Sequence, residues 1–449
     1  MKDVVRAAAT VAHKDRGTFR QSAFEYLATH KKTVTLARSL YRLLGKRRWA
    51  ATLLVSGYGV ASFLRVRTPN TGRLWSVGRY RNEERQFAFV QQCAGVDIGR
   101  VQIATSAAMR SESIRDLLSL LMSPAEVIDG LRLIHRYGES NDFLVTCRVA
   151  ATVGYTARFR RVLSRHTNLD AIIVSSDTNP YATSICEVAR DMGIPRVYIT
   201  HGHMPAGPPR VDFDLWLLDG PELKKVYDRV APVQGAIAYK GAEGTYQPLR
   251  VHGLKQRRLA VGYFASLLVD WEDTATVIQA IRATLNPSKI LIRFHPNQTI
   301  RDPAAHTFFA QSEDIKLSDG ETLLTDDADQ CDLVFAGNSS CHLTLLKYGT
   351  PTVYVPGLDI VPHDFYGFLR DRIVPEFPAP QAVCADSIHR FYTDPQWAVR
   401  FQQYDASYMQ PDNYPATQVR AALNTLLDRG VAANMPSQPP KNSVNHDDC

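Results

Sequence analysis

No apolar run in this 449-residue chain reaches the roughly 18 uncharged residues that a transmembrane helix needs, which excludes a polytopic membrane protein. There is no Cys-x-x-Cys. The seven cysteines, at 93, 147, 186, 331, 341, 384 and 449, are odd in number and widely spaced, and several sit inside apolar patterns. Buried, reduced thiols are therefore expected rather than a disulfide framework. The N-terminus lacks the charged start, apolar core and small-residue cleavage site of a signal peptide, so a reducing cytoplasm is the expected location. No Walker A run occurs and no Gly-x-Gly-x-x-Gly follows a strand, which argues against a P-loop ATPase. No His-Glu-x-x-His or clustered Cys/His set is present, so no metal is expected. Nor is there an Asp-x-Asp of the kind expected for a divalent metal at a phosphate site.

What is present is an ordinary globular composition, 45% hydrophobic and 22% charged, in a chain long enough for two or three domains. The charge is uneven. Residues 1–48 hold twelve Lys or Arg against three acidic residues, a surplus of nine. With +7 overall, the other 401 residues carry a small negative excess. Leu36, Leu40, Leu43 and Leu44 recur at helical spacing, and Trp49–Leu64 carries no charge. Residues 1–66 read as a basic helical segment. It is suited either to an anionic lipid surface or to packing on the body of the protein.

From about residue 73, strands alternate with helices. Leu74–Val77, Val101–Thr105, Ala171–Ser175, Arg196–Thr200 and Phe213–Leu218 read as strands, with a long helical stretch over 114–166. Residues 238–257 are Gly-rich, polar and aperiodic, and read as a crossing between halves. A second alternation begins at Leu259, with strands at Leu259–Phe264, Lys289–Phe294, Leu333–Ala336 and Thr352–Val355 and a helix expected over Ala304–Gln311. The expected fold is α/β, two Rossmann-like parallel-sheet domains facing a cleft. The first spans 67–250 on the acceptor side. The second spans 251–433, binds the donor and includes the closing helices. A Pro-rich, polar tail at 434–449 is expected to be disordered.

Three constellations follow predicted strands, where open α/β sheets bind ligands. The first is Thr200-His201-Gly202-His203: glycine permits a sharp turn, and a strand-end histidine can act as a general base near neutral pH. In the second, Arg293-Phe294-His295-Pro296, the alternation puts Arg293 and His295 on one face, suited to gripping phosphate or forming an internal ion pair. The third, Gly337-Asn338-Ser339-Ser340, leads into a helix whose N-terminus suits phosphate, or is simply capped by Asn338 or Ser339.

In this order the motifs resemble the bacterial GT-B-fold transferases of surface polysaccharide. These include the capsule Kdo and sialic acid transferases and the CDP-glycerol glycerophosphotransferases. Val251-His252-Gly253-Leu254-Lys255 resembles their segment before the interdomain crossing, and Val261–Trp271, with Ser266, resembles the first strand and loop of their donor half. The resemblance covers about 170–360. It implies a metal-independent glycosyltransferase that moves a sugar from a nucleotide-activated, cytidine-linked donor to a hydroxyl of a lipid-linked or growing polysaccharide, with no cofactor and no nucleic-acid partner. By the same resemblance His201 is the base, Arg293 and His295 steady the departing phosphate, and Ser339 and Ser340 bind its remaining oxygens. The implied location is cytoplasmic and peripheral on the inner membrane face.

Two positions depart from the family pattern. Thr344 stands where the family often has a ribose-binding Glu, and His203-Met204-Pro205 replaces the Thr-Pro-like turn of the glycerophosphotransferases, which favours a sugar donor. A glycerophosphotransferase, a UDP-sugar 2-epimerase-like enzyme and a non-catalytic sugar-nucleotide-binding scaffold are the alternatives.

Overall fold

The computed structural model describes residues 2–15, 32–45, 48–69, 71–95, 97–104, 106–107, 110–138, 142–203, 211–255, 258–266, 268–295, 309, 314–318 and 322–434. The helix expected over 304–311 (apart from Phe309), the turn at Pro296 and the tail after 434 lie outside the described residues.

Strands β1 (Val66–Arg67), β2 (Leu74–Gly78), β3 (Ile98–Ile103), β4 (Ala171–Val174), β5 (Arg196–Ile199), β6 (Leu215–Leu218) and β7 (Ala236–Tyr239) form one sheet in the order β1-β3-β2-β4-β5-β6-β7. Its pairings are parallel except at the edge, where β1 runs antiparallel to β3. Strands β8 (Ala260–Phe264), β9 (Lys289–Arg293), β10 (Ile315–Ser318), β11 (Leu333–Ala336) and β12 (Thr352–Val353) form an all-parallel second sheet, β10-β9-β8-β11-β12. β4, β5, β6 and β11 are buried at every position. Covered on both faces, such strands carry continuous apolar runs, and those runs are what made them legible. The chain is thus α/β with two parallel-sheet halves, as expected. β7 falls partly inside the stretch read as linker, and β10 lacked a visible pattern.

The helices are α1 (Lys2–Asp15), α2 (Lys32–Leu44), α3 (Arg48–Leu64), α4 (Arg81–Ala94), α5 (Ser111–Leu121), α6 (Pro124–Gly138), α7 (Phe143–Leu163), α8 (Pro180–Asp191), α9 (Pro221–Asp228), α10 (Trp271–Leu285), α11 (Leu324–Ala328), α12 (Cys341–Lys347), α13 (Ala385–Tyr392), α14 (Pro395–Tyr404) and α15 (Tyr414–Asn434). The single helical stretch expected over 114–166 is three helices. The first break falls just before Pro124, where proline disfavours helical backbone at the preceding residue. α10 shows local chemistry acting alone: Asp270 accepts from the Glu272 and Asp273 amides at 2.9 and 3.3 Å, and Asn286 ends the helix at φ 42°.

α3 lies close on α7. A Cβ at Gly154 would fall 2.0 Å from the Gly59 carbonyl oxygen, so the two helices touch backbone to backbone. α1 is pinned by charge as well as by Val4, Ala8 and Ala12: Arg160 Nε donates to Asp3 at 2.7 Å and Arg6 Nε to Glu187 at 2.6 Å. α1 and α3 therefore pack on the body, whereas α2 turns leucines outward.

The sequence placed everything from 251 to 433 in the second half. The structure instead returns α15 to the first sheet, where Val419 and Leu423 join a core with Phe87, Val90 and Ile98, and Arg420 Nε donates to the Cys93 carbonyl at 2.8 Å. The chain therefore crosses between the halves twice. At this joint Asp405, wholly buried, accepts from the Ala242 and Ser407 amides at 3.0 Å each and lies 3.3 Å from Lys347 Nζ. Gly241 has φ 81° and no room for a Cβ, which would meet Ser407 Oγ at 2.1 Å, so glycine is required there.

Candidate functional site

Between the sheets, at the carboxyl ends of their strands, lies a cleft enclosing about 1180 Å³, open solvent included. The first half contributes Thr200, His201, Gly202 and His203 after β5, Asp219 after β6 and Lys240 after β7. The second contributes Arg293 and His295 from the end of β9, and Ser339, Ser340 and Thr344 around the start of α12. The three sequence constellations thus meet in one place.

His201 is exposed to the cleft. Its Nδ1 contacts the Ser175 carbonyl oxygen and lies 3.2 Å from Ser175 Oγ. A carbonyl oxygen only accepts, so Nδ1 carries the proton. That leaves Nε2 as the basic nitrogen, hydrogen-bonded by no described residue. A Cβ at Gly202 would lie 4.0 Å from Ser340 Oγ, on the other half of the molecule, an ordinary contact distance.

His203 follows by only two residues yet has a different environment. It is buried among Tyr366, Phe368 and Tyr404, with ring centroids 4.9–6.2 Å away, and neither ring nitrogen has a hydrogen-bond partner among the described residues. Burial pushes its pKa down to about 3, so it is neutral at pH 7.

Arg293 and His295 line the cleft as their alternation requires, but the cationic phosphate grip expected of them is not what the structure builds. Arg293 is buried and ion-paired to Asp327, and it also donates to the Thr322 carbonyl at 2.8 Å. Asp327 accepts as well from Ser318 Oγ at 2.6 Å. The guanidinium is thus paired with a carboxylate 34 residues away, which is the internal ion pair that the sequence left open. His295 has its pKa lowered to about 4, first by burial and then by the Arg293 charge. At neutral pH it is an uncharged imidazole that can donate or accept a hydrogen bond.

The third constellation divides. Ser339 and Ser340 line the cleft, and Ser339 Oγ accepts from the Cys341 amide at 3.3 Å, capping the start of α12. Gly337 and Asn338 turn away from it. The Asn338 amide donates to Asp359 at 2.6 Å, and Asn338 Oδ1 accepts from the Phe365 amide at 2.9 Å. A Cβ at Gly337 would strike the Asp359 carboxylate at 2.0 Å. These two residues build the loop rather than an anion site. Ser266 belongs to the same support, hydrogen-bonding the Leu268 carbonyl and Asp359. Burial raises the Asp359 pKa to about 6 despite the amides that donate to it.

Sequence reasoning missed the polar floor of the cleft. Asp219 accepts from Thr200 Oγ1 at 2.8 Å and from Lys240 Nζ at 2.6 Å, all three buried. Each follows a parallel strand; the strand-end rule that found His201 reaches Asp219 after β6, whereas β7 was not recognised and Lys240 with it. Arg85 and Gln86 on α4 reach the rim, both against Glu243. The chain also contains two Asp-x-Asp triplets, at 212–214 and 327–329, neither of which supplies a carboxylate to the cleft. Asp214 pairs with Arg196 and Asp327 with Arg293. Among the described residues, no group of three or more His, Cys, Asp or Glu is placed to hold a metal ion, and no helix is long and apolar enough to cross a membrane.

No protein-family model matches the chain, and no curated protein does. Among solved structures it is similar to a putative UDP-N-acetylglucosamine 2-epimerase from Listeria monocytogenes (12% identity, TM-score 0.49, 80% of this chain and 97% of that one). It is also similar to CalG4, the calicheamicin glycosyltransferase (11%, 0.48, 81% and 99%), and to MurG of Acinetobacter baumannii (12%, 0.39, 80% and 100%).

Proposed function

We propose that the cleft transfers a sugar from a nucleotide-activated donor to a hydroxyl group, without a metal. The observation that carries this reading is the pairing across the cleft of His201, whose basic Nε2 is left open by the Ser175 contact, with the hydroxyls of Ser339 and Ser340. The acceptor hydroxyl would lie against His201 Nε2 and give up its proton as its oxygen attacks the sugar carbon. The sugar–phosphate bond then breaks, and the departing nucleoside phosphate takes the bonding pair. Ser339, Ser340, Thr344 and the neutral His295 would hydrogen-bond its oxygens. Hydrogen bonds that strengthen as charge develops lower the barrier.

Epimerisation of a nucleotide sugar in the same cleft would call for carboxylates free to move a ring proton. Asp219 is engaged by Lys240 and Thr200, and Glu243 by Gln86 and Arg85, which supports transfer. The specific form of the proposal, from the motif resemblance, is a cytidine-linked donor and a surface-polysaccharide acceptor, lipid-linked or growing, at the cytoplasmic face of the membrane.

The test is a thermal-shift screen against CMP, CDP, UDP and GDP, followed by product analysis with the matching labelled nucleotide sugars. Transfer yields free nucleotide and an enlarged acceptor. An isomerised sugar still joined to its nucleotide would establish epimerisation instead. Binding without turnover in the presence of a panel of acceptors would favour a scaffold.

A further inference from the structure

A second recess between the halves encloses about 620 Å³, open solvent included, and shares no lining residue with the cleft. The first half supplies Glu222 and Lys225 of α9. The second supplies Arg370 and Arg372 and, from α14, Arg400 and Tyr404. The halves touch directly beside it: a Cβ on Gly220, which precedes α9, would lie 2.5 Å from the Gln403 carbonyl oxygen of α14. Tyr404 links the two spaces. Its ring centroid is 4.9 Å from that of His203, which lines the cleft, and its hydroxyl donates to Asp371, which lines the recess.

The recess gathers more cations than its carboxylates can balance. Glu222, with a side chain only 7% exposed, is shared by three of them: Lys225 at 3.0 Å, Arg229 at 3.1 Å and Arg370 at 3.4 Å. Arg370 also pairs with Asp371 at 2.6 Å, and Arg400 with Asp394 at 3.0 Å. Arg372 is exposed and pairs with no described carboxylate, while its carbonyl accepts from Arg400 Nε at 3.4 Å. With every one of these pairs counted, five cations face three carboxylates. The surplus of two is continuous from α9 through Arg370 to α14.

The backbone also works to place Arg372. Its φ is 54°, in the left-handed region that residues other than glycine avoid. The Ile373 amide donates to the Phe368 carbonyl at 2.8 Å and Trp397 Nε1 to the Ile373 carbonyl at 2.9 Å, which hold the turn against that preference.

We propose that this recess is a second binding site, for a phosphate-bearing ligand, and that its occupant clasps the two halves together. A dianion balances the surplus. Guanidinium groups match phosphate oxygens in pairs, and lysine adds a point charge. The site requires neither the donor nor the transfer reaction. Lys225 and Arg229 come from one half and Arg370, Arg372 and Arg400 from the other, so the anion binds best when the halves stand as they do here. By reciprocity its presence favours that arrangement, and with it the cleft that the halves enclose.

The experiment is calorimetric titration of the full-length protein with inorganic pyrophosphate at constant ionic strength, with hydrogen exchange to locate the ligand. Binding is expected to survive Ser339→Ala/Ser340→Ala in the cleft and to slow amide exchange over 222–229 and 370–373. Lys225→Gln and Arg372→Gln should each weaken it by about tenfold or more, the loss of one charge-assisted hydrogen bond. Both side chains are exposed, and Glu222 keeps two cations without Lys225, so the thermal midpoints without ligand should match the wild type. Citrate, whose charges are carboxylates, should bind more weakly, and equal binding would remove the phosphate assignment. Glucose 1-phosphate and CDP, titrated into the same serine variant and read by the same exchange segments, distinguish a sugar phosphate from a nucleotide as the source of the phosphate. No binding of pyrophosphate, or binding lost only with the cleft serines, would overturn the proposal. So would an effect of Arg372→Gln without one of Lys225→Gln, because the ligand would then not bridge the halves.

Discussion

Gly202 and Ser340, 138 residues apart and on opposite halves of the molecule, approach so closely that a Cβ on the glycine would lie 4.0 Å from the serine hydroxyl. The loop that carries the candidate base and the loop that carries the candidate phosphate ligands therefore meet across the cleft.

This contact can be tested by size. An alanine at Gly202 fits the observed space, whereas a leucine would fill the gap towards Ser340. Gly202→Ala is expected to keep nucleotide binding and Gly202→Leu to abolish it. Both should keep the wild-type thermal midpoint, because the added side chain points into the cleft. Binding by Gly202→Leu at wild-type affinity would show that ligands do not pass this point.

His201→Ala should leave the fold intact, since the ring is exposed, and lower transfer by about 10²–10⁴-fold, the usual cost of losing a general base. Nucleotide affinity should be unchanged. The check is the initial rate with donor and acceptor, measured beside a nucleotide titration. A wild-type rate would remove His201 from the chemistry.

Arg293→Ala should act mainly on stability. It strands Asp327 as a buried carboxylate, and breaking a buried pair costs about 3–5 kcal/mol. The double variant Arg293→Met/Asp327→Leu should recover much of that loss by removing the orphaned charge. Urea unfolding of the two variants measures both effects. A single variant as stable as the wild type would show that the pair is not structural.

Stability should fall on acidification below about pH 6.5, the unperturbed histidine value. His203 and His342 are buried, and burial lowers their pKa values to about 3 and about 4. Below pH 6.5 the unfolded chain takes up protons that the folded chain refuses. The stability associated with the neutral rings is therefore complete above that value and is lost progressively as pH falls towards the folded values. Each histidine contributes a slope of up to about 1.4 kcal/mol per pH unit in this window. His203→Phe, which suits the aromatic surroundings, should flatten the profile by one proton's worth in urea melts between pH 4 and 7, a range set by these pKa values.

Lys347→Met should destabilise the joint between the halves. Asp405 would lose its cation while remaining wholly buried. Cooperative unfolding should give way to two transitions in calorimetry if this cluster couples the halves. A single transition at the wild-type midpoint would mean that it does not.

Much of this molecule was written locally. Ala171–Val174 and Leu333–Ala336 announce themselves as strands buried on both faces, because continuous apolar residues need neither partner nor register to be recognised. The same local rule placed His201, Ser339 and Ser340 at strand ends and hence on a common cleft. It applied equally to Asp219, at the end of the recognised strand β6, but that residue was passed over; Lys240 follows β7, whose partly exposed residues gave no strand pattern to follow.

What the tertiary structure decided was the partner of each polar group. Arg293 and Asn338 have the residue types of phosphate ligands. Whether they serve as such depends on Asp327 and Asp359, which lie 34 and 21 residues away and reach them only once β9, β11 and the following loops have packed. The return of α15 to the first sheet and the outward leucines of α2 are of the same kind. A helical period shows that one side of a helix is apolar. Which side meets the core depends on surfaces contributed by residues far along the chain.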